Sequence, residues 1–149
     1  MKEEVTILIA EDDDGHFSLI KKNLQRSGIC NEIIRFTDGQ QALDYIFPEK
    51  QEIRAGRKPS HEYLLLLDIR MPKVDGVAVL NRIRQDEEFK KMPVIMLTTT
   101  DDPREIERCH SLGCSVYVVK PVEYESFIEA IRKVGLFLSV VEVPKVNNL

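Results

Sequence analysis

The chain has 149 residues, 43% of them hydrophobic and 31% charged, and a formal net charge of -4. That length suits one domain burying about two-thirds of its unfolded surface, and the apolar share argues against a disordered chain. The acidic balance argues against binding nucleic acid or anionic membrane through bulk charge, and no apolar run approaches the roughly 20 residues that span a bilayer.

The N-terminal stretch MKEEVTILIAEDDD has acids on both sides of a six-residue apolar run, so it does not read as a signal peptide. Five short apolar runs follow one another along the chain. They are Val5–Ala10, Glu32–Phe36, Tyr63–Leu67, Pro93–Leu97 and Ser115–Val119. The first, third and fourth are nearly continuous, as parallel strands covered on both faces should be. EIIRF is more mixed and suits an edge strand.

Helical spacing fills the intervals. Phe17, Leu19, Ile20 and Leu24 form a stripe that stops at Gly28. Asp38 is placed to cap a second helix through Ala42, Leu43, Ile46 and Phe47, ended by Pro48. Val77, Val79, Leu80 and Ile83 mark a third. A fourth begins at Asp102-Pro103 and ends at Gly113, and a fifth runs from about Glu123 to Val141. Residues 48–62 read as a charged surface loop inside the domain, and residues 142–149 as a short tail after a domain of 1–141. Alternating strands and helices predict right-handed βαβ units, hence an α/β fold with one parallel sheet between two helical layers.

Polar residues interrupt these strands at their C-terminal ends. The breaks are Glu11-Asp12-Asp13-Asp14, Asp68, Thr98-Thr99-Thr100 and Lys120-Pro121. In an open parallel sheet those ends share one edge, where ligands bind at the reversal of winding. Gathered carboxylates repel, so they must take up a cation, a base or protons. Few protein oxygens with room for water suit Mg²⁺ better than Ca²⁺. Lys120 and the Thr98 hydroxyl would neutralise phosphoryl oxygens, and a carboxylate can itself become an aspartyl phosphate. Asp68, alone at the end of the most apolar strand, fits the nucleophile, while Glu11 and Asp12 fit the metal. Asp13 and Asp14 leave the choice of metal ligands open by one position.

The segments ILIAEDD, LLLLDIRMPKVDG, PVIMLTT and YVVKP, with a Thr 30 positions after Asp68 and a Lys 22 beyond that, resemble the receiver domain of bacterial two-component response regulators. The resemblance covers essentially the whole chain. It implies a doubly wound (βα)5 sandwich of flavodoxin- or CheY-like type, with strand order 2-1-3-4-5. Asp68 would be the phosphoacceptor for a sensor histidine kinase. Mg²⁺ would be held by Glu11, Asp12, Asp68 and the Arg70 backbone carbonyl, with Thr98 and Lys120 contacting the phosphoryl group. Lys120-Pro121 matches a cis peptide, and Tyr117 an aromatic that turns inward with Thr98. The fourth helix, fifth strand and fifth helix would form the readout face. Autodephosphorylation would reset the switch, so the chain is not expected to be a metabolic enzyme. The loop before the third strand and the tail FLSVVEVP resemble stand-alone regulators of phytochrome kinases. Arg70, two residues after Asp68, stands where a bulky cation would shield the phosphoryl group from water.

Simpler roles accompany these. Asp13 or Asp14 can serve as a helix cap, and Asp75-Gly76 as turn chemistry. His16, His61 and His110 show no metal-like spacing. Cys30, Cys109 and Cys114 make an odd count without C-x-x-C, which supports neither a disulfide framework nor a zinc site and makes a reducing cytoplasm the expected compartment. In the last helix, Phe127, Ile131, Val134, Leu138 and Val141 fall within about 80° as a core stripe. Leu136 and Val140 project to the opposite side with Phe137 flanking the stripe, which predicts a homodimer or other partner surface there. The rivals are a haloacid-dehalogenase-type phosphatase, which needs a second Asp where Arg70 stands, and an interaction module that is never phosphorylated.

Overall fold

The computed structural model describes residues 1–48 and 61–144, so most of the 48–62 loop and the tail beyond 144 lie outside the described residues. The strands are β1 (Thr6–Ala10), β2 (Ile33–Phe36), β3 (Tyr63–Leu67), β4 (Val94–Thr98) and β5 (Val116–Val119). The helices are α1 (Asp14–Arg26), α2 (Gly39–Ile46), α3 (Gly76–Arg84), α4 (Pro103–Ser111) and α5 (Tyr124–Leu138). All neighbouring strands pair in parallel, in the order β2-β1-β3-β4-β5. The expected α/β fold and strand order are therefore what the chain adopts.

The continuous apolar strands serve two cores. Along β3, Tyr63, Leu65 and Leu67 join Ala42, Ile46, Val79 and Leu80 on one side of the sheet. Leu64 and Leu66 join Ile20, Leu24, Phe127 and Ile131 on the other. Because side chains alternate in a strand, both sets must be apolar once helices cover both faces. The edge strand β2 is only half-buried over Ile33–Arg35, in keeping with its mixed composition.

Short polar side chains start four of the helices. Asp13 accepts from the His16 N–H, Asp38 from Gln41, Asp75 from Ala78 and Asp102 from Arg104, at 2.8 to 2.9 Å. Asp75 thus caps α3 rather than serving only a turn. Gly28 and Gly113 follow α1 and α4 with φ of 91° and 90°, a region that costs a side chain about 1 kcal/mol. Helix α5 stops at Leu138, three residues before the expected Val141. The Ser139 hydroxyl there donates to the Leu136 carbonyl at 2.6 Å, competing with continued helical bonding.

Candidate functional site

Winding reverses at β1, which has β2 on one side and β3 on the other. The crevice between the ends of β1 and β3 is therefore the natural ligand position. Backbone bonds hold Asp68 and Lys120 one step past their strands. The Asp68 N–H donates to the Ala10 carbonyl at 3.1 Å, and the Lys120 N–H to the Thr98 carbonyl at 2.7 Å.

These rungs bring the acids together. Glu11, Asp12 and Asp68 each present an oxygen within 4.8 Å of the other two. Glu11 and Asp68 are buried and Asp12 is exposed. The other two acids of the run go elsewhere. Asp13 caps α1, and the His16 N–H it accepts holds its carboxyl below the usual range. Asp14 pairs with Arg35 at 2.8 Å, while Arg35 also donates to the Glu11 carbonyl at 3.0 Å and lies over the Phe17 ring. Of the acidic run, Glu11 and Asp12 are the two whose oxygens gather with Asp68.

Lys120 is buried among these acids. Its ammonium donates to Glu11 Oε1, to Asp68 Oδ2 at 3.0 Å and to His16 Nδ1 at 3.2 Å. One cation is thus shared by two buried carboxylates. Burial pushes the Glu11 carboxyl up from 4.5 to about 7, with Asp68 adding to the rise and Lys120 opposing it. Among the described residues, Asp68 Oδ1 is the buried side-chain atom with no hydrogen-bond partner. An orphaned carboxylate oxygen beside two further acids is chemistry that a hard divalent cation satisfies, so the donor set fits Mg²⁺.

Thr98 is fully buried at the end of β4, and its Oγ1 lies 3.5 Å from the Thr100 N–H. Tyr117 is half-buried, with its hydroxyl donating to the Thr100 carbonyl at 2.7 Å. Burial raises the Tyr117 phenol to about 12. Arg70 is exposed, and its charge helps lower the Asp102 carboxyl, chiefly held down by the Arg104 N–H. One expectation is corrected: the described residues contain no cis peptide, so Lys120-Pro121 is trans. Trans is the lower-energy form of an X–Pro bond unless the surroundings enforce cis. Leu136, Phe137 and Val140 are all exposed, as expected. His16 had no signal in sequence spacing, yet it stands beside Lys120 because α1 packs along α5.

Residues 7–132 match the response regulator receiver domain family, and the chain belongs to it. A response regulator receiver domain from Rhodospirillum rubrum is 46% identical, has a TM-score of 0.89 and is matched over 96% of this chain and 99% of its own. The Mn²⁺-bound response regulator Rcp1 is 28% identical with a TM-score of 0.83, over 93% of this chain and 98% of its own. The phosphorylated cyanobacterial phytochrome response regulator RcpA is 28% identical with a TM-score of 0.82, over 93% and 97%. Among the described residues, no helix is long and apolar enough to cross a membrane.

Proposed function

We propose that this receiver domain is a switch phosphorylated on Asp68 by a sensor histidine kinase. The observation that carries this reading is the buried Asp68 carboxylate, one oxygen bonded to Lys120 and the other without a partner, beside Glu11 and Asp12.

Glu11, Asp12, Asp68 and the Arg70 carbonyl would hold Mg²⁺, which when bound offsets negative charge between carboxylate and phosphoryl oxygens. An Asp68 oxygen attacks the phosphorus of a phosphohistidine. The new bond is P–O, the bond broken is P–N, and the departing imidazole takes up a proton. Lys120 supplies a fixed positive charge to the transferred group. Thr98 reaches it through its hydroxyl, and Tyr117 follows by leaving the Thr100 carbonyl and turning inward. Phosphoryl charge would then bias the α4–β5–α5 face, where a protein target reads the state. Hydrolysis of Asp68 phosphate returns the switch to rest, so the protein is a signalling component rather than a metabolic enzyme. The likeness to the phytochrome response regulator RcpA supports a phytochrome-type kinase as donor, and exposed Leu136, Phe137 and Val140 support pairing of two copies through α5.

Incubation with acetyl phosphate and Mg²⁺, followed by intact mass measurement, tests this. One phosphoryl mass should appear in the wild type and vanish in Asp68→Asn. No addition to the wild type favours the inert module, and rapid turnover of a chromogenic phosphate ester favours the phosphatase.

A further inference from the structure

Lys120 has three ammonium protons and three acceptors around it. Two are the carboxylates of Glu11 and Asp68, which the proposed function commits to the metal and the phosphoryl group. The third is His16 Nδ1, at 3.2 Å. Because an ammonium only donates, this contact is a hydrogen bond when Nδ1 is bare and the ring proton sits on Nε2.

The ring is held from three sides. Its backbone N–H is fixed in the first turn of α1 by Asp13 Oδ1 at 2.9 Å. Its face lies against Phe127 of α5, with centroids 5.3 Å apart and planes tilted by 40°. Glu11 Oε1 is 3.9 Å from Nδ1, so the imidazole leans over the same oxygen that Lys120 contacts. Its outer edge lines a groove with Ser18, Pro121, Val122 and Tyr124. A half-exposed ring in a helix N-terminal turn thus reaches a lysine that is itself buried.

The geometry assigns His16 as a positioning residue for Lys120. This assignment rests on Asp68 being the phosphoacceptor. At rest Glu11 and Asp68 pull the ammonium from two sides. When Glu11 is drawn towards a divalent cation, the His16 nitrogen keeps hold of Lys120 and leaves it aimed at the Asp68 oxygen. A neutral acceptor does this without adding negative charge where phosphoryl oxygens arrive, which a carboxylate in its place would do.

The test compares wild type with His16→Phe, which keeps a ring against Phe127 but removes the acceptor, and His16→Asn, whose carbonyl oxygen can stand near the position of Nδ1. Phosphorylation is followed across acetyl phosphate concentrations. His16→Phe should lower the maximal rate roughly tenfold, with a smaller change in half-saturating donor, and His16→Asn should recover to within about threefold. In the free wild-type protein at alkaline pH, long-range nitrogen NMR should place the ring proton on Nε2. A proton on Nδ1, or His16→Phe reacting at the wild-type rate, overturns the assignment. If wild type takes up no phosphoryl group, the reading of Asp68 fails and the nitrogen spectrum alone judges His16. The same spectrum decides if His16→Phe does not fold.

Discussion

Burial lifts the Glu11 carboxyl from 4.5 to about 7 despite the adjacent Lys120, and that shift links stability to pH. The unfolded chain ionises Glu11 near 4.5, whereas the folded chain keeps its proton until about 7. The folded state therefore binds more protons in that window, and metal-free stability should fall as pH rises from 4.5 to about 7 and level off above it. Urea midpoints across this range check the sign: wild type should lose stability relative to Glu11→Gln. A constant difference between the two contradicts it. Mg²⁺ should then stabilise the wild type more above pH 7 than below, because a bound cation needs the ionised carboxyl. Arg70 acts at the exposed rim of the pocket. Arg70→Ala should shorten the Asp68 phosphate lifetime up to about fivefold, the scale of an exposed charge contact, and an unchanged lifetime removes the shielding role.

The elements hold the site through close backbone contact. Gly76 begins α3, and its N–H donates to the Ile69 carbonyl at 2.8 Å. A Cβ at Gly76 would lie 2.1 Å from the Asp68 carbonyl oxygen and 2.9 Å from Ile69 Cα. Gly76→Ala should therefore cost about 2 to 3 kcal/mol in urea unfolding and slow phosphorylation, because only backbone movement at Asp68 relieves the clash. A stable, fully active Gly76→Ala would show that α3 does not fix the acceptor. Most of this framework was legible locally. Two-sided apolar strands, Asp caps and helix-ending glycines are encoded within a few residues. Parallel pairing then makes strand ends meet, so the gathering of Glu11, Asp12, Asp68 and Lys120 was legible as a group. His16 was not, since its contact with Lys120 spans 104 positions and depends on how α1 sits on α5. The isomer at Pro121 was not either, because cis and trans differ by only about 0.5 to 1 kcal/mol and the folded surroundings decide.

Across the whole molecule, the pocket and the exposed apolar face stand on connected elements. Lys120 follows β5 directly, and β5 pairs with β4, which ends in Thr98. Helix α5 covers the same edge, and Phe137 with Ala130 closes an apolar groove over Val116 and Val118. Leu136, Phe137 and Val140 are 51%, 47% and 76% exposed, a patch that a second copy would cover. Sedimentation at concentrations on the order of tens of micromolar should find a dimer that Leu136→Asp weakens, and a monomer with and without phosphoryl donor contradicts that arrangement. The central claim concerns one carboxylate among several. Borohydride reduces an acyl phosphate to the alcohol, so treatment after acetyl phosphate, followed by peptide sequencing, reads the acceptor directly. Homoserine at position 68 alone is the predicted result. Homoserine at position 12, 13 or 14, or at none, contradicts the account.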